Sequence, residues 1–195
     1  MNAATATATP PGAGPEPAAR RSLRARLAAG TVGLAIARAD VALFRGARTH
    51  GHGPAAERAV ARFSKAGEHA ALWLAVGAAG ALLDRPRRGQ WTRAAAGVAA
   101  AYGINTVVKV VARRPRPVLE DLPQLIATPT QLSFPSAHAS SSFAAARGYA
   151  PLLGGATVYP VAAAMAASRV YLGVHYPSDI FAGALLGTFV GALSR

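Results

Sequence analysis

The groups in this chain that can do chemistry fall in three short segments: KVVARRPRP at 109–117, FPSAHASSS at 134–142 and SRVYLGVHYPSD at 168–179. In the third, His175 and Asp179 stand four apart. On a helix that spacing lets the carboxylate accept a hydrogen bond from one ring nitrogen, which fixes the tautomer and leaves the other nitrogen free to attack. Pro177 suits the first turn of such a helix. Taken alone, a His–Asp pair is as often purely structural. Arg169 adds a cation near the end of the preceding helix. In the second segment Pro135 and Ser136 read as a helix start with Ser136 as N-cap, and the free N–H groups of a helix start bind phosphate. Ala137 is small enough for its backbone to approach a ligand, and His138 would stand beside it. The bland alternative is a capped helix with an incidental histidine.

In the first segment Lys109, Arg113 and Arg116 are spaced four and then three apart, one side of a continuing helix. Pro115 and Pro117 argue for an end to that helix, which would put Arg116 in a loop. Lys109 alone reads equally well as a basic flank against lipid headgroups. Together the segments offer cations and N–H donors, two histidines and one orienting acid, the parts of a phosphoryl-transfer site. Lys109, Arg116, Ser136, the N–H near Ala137 and Arg169 would hold the phosphoryl oxygens. His175 would attack phosphorus, oriented by Asp179, and His138 would protonate the leaving oxygen and then activate water. The cations do the electrostatic work of a metal, so no metal and no other cofactor is expected. Asp179 is the only acid beyond residue 121, which leaves no carboxylate cluster for a metal there.

Elements must bring these segments together. Residues 1–26 read as a disordered basic tail: a Pro/Ala-rich stretch, then Arg20, Arg21, Arg24 and Arg26. The run 27–44 is broken by Arg38 and Asp40. It reads as a first membrane helix, a re-entrant segment or an amphipathic surface helix, and with a polar loop it makes a segment 27–63. Residues 64–195 form the catalytic part. Helices are predicted over 70–83, 94–112, 137–152, 155–170 and 178–194, with a basic loop at 84–93 and a proline-rich loop at 113–135. The ends of four of these helices carry the three segments. Trp73 and Trp91 read as membrane-interface anchors or as packing residues.

Composition narrows the class. Apolar residues are 52 % and charged residues 15 % of the 195-residue chain, against about 25 % charged in soluble domains. The expected fold is all-α, a polytopic membrane helix bundle with five or six membrane helices. No cysteine is present, which excludes disulfides and thiolate metal sites. The net charge of +13 could suggest nucleic acid. After residue 135, however, only Arg147, Arg169, Asp179 and Arg195 are charged, too few for such a surface, so no nucleic-acid partner is expected. With six spans, the positive-inside rule puts both the basic N-terminus and the 84–93 loop in the cytoplasm and the catalytic face outside the cell membrane. The oligomeric state stays open.

The three segments resemble the three-part signature of the type 2 phosphatidic acid phosphatase (PAP2) superfamily, which also includes haloperoxidases. The matching positions are Lys109 through Arg116-Pro117, Pro135-Ser136-Ala137-His138, and Ser168-Arg169 through His175 to Asp179. Ala137 departs from the glycine usual there. The resemblance implies a metal-free lipid phosphatase with His175 as nucleophile, Asp179 as its partner and His138 as acid. It implies phosphate binding by Lys109, Arg116, Ser136, Ala137 and Arg169. SKAGEH at 64–69 and TPTQLSFPSAHAS at 128–140 resemble an actinobacterial branch that removes the 5-phosphate from a polyprenyl-linked ribose on the way to cell-wall arabinan. Glu68 and His69 are either contributors to lipid or sugar binding or part of a helix start. The competing substrates are undecaprenyl diphosphate, phosphatidylglycerophosphate and phosphatidic acid. The competing classes are a vanadate haloperoxidase, whose known forms are soluble and much longer, and a catalytically dead lipid-binding membrane protein, which would predict the loss of His175 or Asp179.

Overall fold

A computed structural model of the chain describes residues 30–194. The segment 1–26, read as a disordered tail, lies outside the described residues. The chain divides into two compact units after Arg38. The first is described from Gly30 as the opening turns of helix α1 (Thr31–Thr49). The second holds the remainder of α1, then α2 (Pro54–Ala66), a 3-10 turn (Glu68–Ala70), α3 (Ala71–Leu83), a second 3-10 turn (Arg85–Arg87), α4 (Arg88–Ala112), α5 (Ala137–Leu153), α6 (Gly155–Tyr171) and α7 (Pro177–Leu193).

Helix α5 is the central element, packed by α4, α6 and α7. Its sequence, AHASSSFAAARGYAPLL, is rich in Ala, Ser and Gly, so neighbouring backbones can approach it from several sides. The closest approach is from α7, where Gly183, Gly187 and Gly191 recur every four residues. A Cβ at Gly187 would stand 2.1 Å from the carbonyl oxygen of Ser140, a backbone atom with nowhere to go. Hydrogen bonds lock the register of the helices around α5. Trp73 Nε1 donates to Ser142 Oγ at 2.8 Å, Asn105 Nδ2 to Ser140 Oγ at 2.9 Å, and the Tyr149 hydroxyl to the carbonyl of Trp73 at 2.9 Å. Trp73 and Trp91 are both buried, which settles them as packing residues. Trp91 also donates from Nε1 to Asp84 at 3.0 Å.

The all-α architecture agrees with the sequence reading, but the expected five or six membrane helices are contradicted. Among the described residues one helix, Arg85–Ala112 with its leading turn, is long and apolar enough to cross a membrane. A second span is added only if α2 and the segment Glu68–Leu83, bent by 51° at their junction, count as one. The reason is length and burial. Helices α5, α6 and α7 have 17 residues each, about 25 Å at 1.5 Å per residue, short of the ~30 Å of a hydrocarbon core. The low charge of α5 reflects burial inside protein. In α1 the candidate membrane run is broken because Asp40, Phe44 and Arg48, spaced four apart, are buried together. Two helices do expose apolar stripes: Ile104, Val107 and Val111 on α4, and Phe181, Leu185, Phe189 and Leu193 on α7. Two boundaries also move. Residues 54–66, read as part of a polar loop, are helical, and α4 begins at Arg88 instead of residue 94. A polar first turn does not stop a helix whose later turns are packed.

Candidate active site

The C-terminal end of α4, the N-terminal end of α5, the C-terminal end of α6 and the N-terminal end of α7 meet around one cavity of about 140 Å³. Helix α4 stops at Ala112 because Arg113 takes a left-handed conformation (φ 51°) as its C-cap. Arg116 therefore lies in the following loop. The two arms of that loop are pinned together: Arg116 N donates to Gln131 O at 3.1 Å and Ser133 N to Arg114 O at 2.8 Å. Lys109, in the last turn of α4, donates to the carbonyls of Leu132, Ser133 and Pro135 at 3.2, 3.1 and 2.9 Å, which ties the loop back to the helix.

Six of the eight sequence-predicted site residues line the cavity: Lys109, Arg116, Ala137, His138, Arg169 and His175. Ser136 and Asp179 stand behind it. Ser136 is the N-cap of α5; its hydroxyl accepts from Ala139 N at 3.4 Å and it is fully buried. Its backbone N–H donates to the carbonyl of Asp179 at 3.0 Å, which joins the starts of α5 and α7.

His175 lies in the loop just before α7 and is almost fully buried. Its Nε2 is 3.1 Å from Arg116 NH1. A guanidinium can only donate, so Nε2 carries the lone pair and Nδ1 the proton. That Nδ1 lies 3.5 Å from Asp179 Oδ2, longer than a good hydrogen bond, and has no hydrogen-bond partner among the described residues. Burial, with the charges of Arg116, Arg169 and Lys109, holds the pKa of His175 well below the usual histidine value, so the ring is neutral at neutral pH. Burial also pushes Arg116 down to about 10, partly offset by Asp179, so it stays a cation under the same conditions. Arg116 is fixed by donating to Thr130 O at 2.8 Å and Val174 O at 2.7 Å.

Three residues that the sequence reading did not single out complete the arrangement. Asp179 receives Tyr176 N at 2.9 Å on Oδ2 and Arg114 NH1 at 2.7 Å on Oδ1. The partner of the orienting acid is thus Arg114, two residues before the arginine of the signature. The other guanidinium nitrogen of Arg114 donates to Asp40 of α1 at 2.8 Å, and Asp40 in turn accepts from Ser178 N at 2.8 Å. Ser64, buried at the end of α2, receives Arg169 NH1 on its hydroxyl at 2.6 Å and His138 Nε2 on its carbonyl at 3.0 Å. The carbonyl can only accept, so His138 Nε2 carries the proton and Nδ1 is available. The two aspartate–arginine contacts join residues more than sixty positions apart, and no local pattern in the chain announces them. The SKAGEH resemblance pointed at the neighbourhood of Ser64 without giving its role.

A helical bundle that gathers three cations around a buried histidine has the charge and donors to hold a phosphate. The comparisons with known proteins agree. The sequence profile of the PAP2 superfamily matches residues 90–195. Over 131 residues the chain is 44 % identical to the decaprenylphosphoryl-5-phosphoribose phosphatase of Mycobacterium tuberculosis, covering 65 % of this chain and 72 % of that protein. The protein of the same name from Mycolicibacterium smegmatis is 44 % identical over 126 residues, covering 65 % and 68 %. Among solved structures, Aquifex aeolicus LpxE is similar with a TM-score of 0.63 at 26 % identity, over 79 % of this chain and 93 % of that one. A transmembrane PAP2-type phosphatidylglycerolphosphate phosphatase from Bacillus subtilis superposes with a TM-score of 0.68 at 22 % identity, over 91 % and 93 %, a likeness of fold. The chain belongs to the PAP2 superfamily. It is a lipid phosphatase of that family and an integral membrane protein.

Proposed function

We propose that this protein hydrolyses the phosphomonoester of a polyprenyl-linked substrate, decaprenylphosphoryl-5-phosphoribose, through a phosphohistidine on His175, in the supply of cell-wall arabinan precursor. The observation that carries the mechanism is the Nε2 lone pair of a neutral His175 held at 3.1 Å from Arg116 in a cavity also lined by Lys109 and Arg169. The substrate assignment is supported by the 44 % identity to the two mycobacterial phosphatases.

In the first step the phosphoryl oxygens take the cations, and Arg116 exchanges His175 for phosphate. Nε2 attacks phosphorus, the bond from phosphorus to the ester oxygen breaks, and the electron pair leaves on that oxygen. Burial and the charge of Arg169 hold the pKa of His138 down to about 3 in the empty site; the charge of the entering phosphate raises it, so that His138 takes up a second proton on Nδ1 and passes it to that oxygen. The positive charge that develops on His175 is balanced by Asp179, whose Oδ2 lies 3.5 Å from Nδ1. In the second step His138 takes a proton from water, the water oxygen attacks phosphorus, the P–N bond breaks and inorganic phosphate leaves. Lys109, Arg116, Arg169 and the N–H of Ala137 at the α5 start hold the charge that builds on the phosphoryl oxygens. Ser136 fixes that helix start. A metal has no step to perform, so turnover continues in a chelator.

The pocket faces outward from the cell membrane in this reading. Arg85, Arg87, Arg88 and Arg93 sit at the opposite end of α4 from Lys109, and the positive-inside rule holds such an end in the cytoplasm. Phosphate release by the detergent-purified protein, measured in excess chelator over a substrate panel, tests the assignment. The polyprenyl-linked 5-phosphoribose is expected to give the highest kcat/KM. Faster turnover of undecaprenyl diphosphate, phosphatidylglycerophosphate or phosphatidic acid would reject it.

A further inference from the structure

The cavity carries one group that a phosphate site does not want. Glu68 lines it, half-buried in the 3-10 turn after α2, and among the described residues its carboxylate makes no hydrogen bond or ion pair. Its charge acts on Arg169. A carboxylate beside bound phosphate repels it, and an ionised carboxylate can only accept hydrogen bonds. A ligand that compensates must bring donors, and on an uncharged headgroup such as a sugar or polyol those donors are hydroxyl groups.

The turn that carries Glu68 is built for this place. His69 and Ala70 both adopt left-handed conformations, φ 53° and 61°, which side chains with a Cβ avoid. Gly67 just before them has no room for a Cβ: one would stand 2.9 Å from His138 Cδ2 and 2.6 Å from Met165 Sδ. The turn is thus seated against His138. The bend sets His69 Nδ1 2.8 Å from the Tyr102 hydroxyl of α4, with the rings edge-on. Tyr102 and His69 also line the cavity. The other ring nitrogen of His69 has no partner among the described residues.

We propose that Glu68, with the hydrogen-bonded His69–Tyr102 pair, forms a second subsite that binds the hydroxyl groups of a sugar or other polyol carrying the scissile phosphate. The proposal rests on the reading of the cavity as a phosphatase site. The cationic side takes the phosphate, and the acceptor side selects what the phosphate is attached to. An alkyl phosphate would meet Glu68 with no donor to offer it.

The test compares two soluble probes on the full chain in detergent, decyl riboside 5-phosphate and decyl phosphate, as a ratio of kcat/KM. Wild-type protein prefers the riboside phosphate. Glu68→Ala lowers the ratio roughly tenfold or more, the scale of losing a hydrogen bond to a charged acceptor. Tyr102→Phe, which releases His69, lowers it by about threefold. If Glu68→Ala does not fold, Glu68→Gln and Tyr102→Phe read the same ratio. An active wild type whose ratio is unchanged in the variants, both substrates losing alike, overturns the subsite and assigns Glu68 to orienting Arg169. A wild type inactive on both probes overturns the phosphatase reading and the subsite with it.

Discussion

Asp40 is the residue whose replacement most sharply separates a positioning network from incidental packing. Its side chain is 4 % exposed, and one carboxylate serves Arg114, Ser178 N and the Ser178 hydroxyl. In Asp40→Asn the oxygen that meets Ser178 N is retained, and the Ser178 hydroxyl can turn to accept. The loss falls on Arg114 NH2, which then faces an amide N–H in place of a carboxylate. A charge-assisted hydrogen bond contributes about 1.5–3 kcal/mol. Arg114 is 30 % exposed and keeps Asp179, so water screens part of the loss and about 1–2 kcal/mol is expected. For a chain of this size that lowers Tm by roughly 2–8 °C. The catalytic effect has a defined direction. Two carboxylates now share one guanidinium; without Asp40 the charge of Arg114 is spent on Asp179 alone, and Asp179 stabilises a charged His175 less. The expected result is a fall in kcat of roughly tenfold with KM little changed, the pattern of an interaction made in the transition state. Thermal unfolding in detergent and steady-state phosphate release measure both. In an Arg114→Met background the same substitution should cost less than about 0.5 kcal/mol, because its partner is gone. Wild-type Tm and kcat in Asp40→Asn, or full additivity with Arg114→Met, would refute the network.

Two further outcomes follow from the packing and the charge of the site. Gly187→Ala puts a Cβ against the Ser140 carbonyl and should destabilise by about 1–3 kcal/mol, whereas Gly103→Ala on α4, with nothing within 4 Å, should be neutral or slightly stabilising; equal melting temperatures for the two variants would count against the α5–α7 contact. The depressed pKa of His175 means that the unfolded chain takes up a proton the folded chain refuses, so its contribution is fully present above the unfolded value of about 6.5 and is lost as pH falls below it. Between pH 7.5 and 5.5 that amounts to about 1.4 kcal/mol, and His175→Asn should flatten the pH dependence of Tm by that share; an identical slope in wild type and variant would show that His175 is not held neutral.

The placement of the candidate site residues is legible in the sequence where it depends on local order. Ser136 announces a helix start by residue type and becomes the N-cap of α5. Pro115 and Pro117 place Arg116 outside a helix, and it lies in the loop after α4. Four helix ends expected to converge do so. What stayed hidden depends on tertiary contact. RRPRP contains three arginines, and nothing local says that Arg114 takes the two carboxylates while Arg116 takes His175. Asp40 read as an interruption of an apolar run, and it is a buried anchor reaching Arg114 and Ser178 from α1. The number of membrane helices was overestimated for a related reason: small apolar residues mark burial in protein as well as in lipid, and α5 is buried by its neighbours. Helix α2 was missed because its polar and charged residues mask a short amphipathic segment that brings Ser64 to the site.

The covalent intermediate on His175 is the claim from which the rest of the mechanism hangs. Rapid mixing of the detergent-purified protein with substrate labelled in the scissile phosphate, followed by quenching in base, where phosphohistidine survives, tests it directly. Label should appear within one turnover on the peptide that contains His175, decay as phosphate is released, and be absent from His175→Ala. Product formed with no label on that peptide, or turnover retained by His175→Ala, would contradict the account.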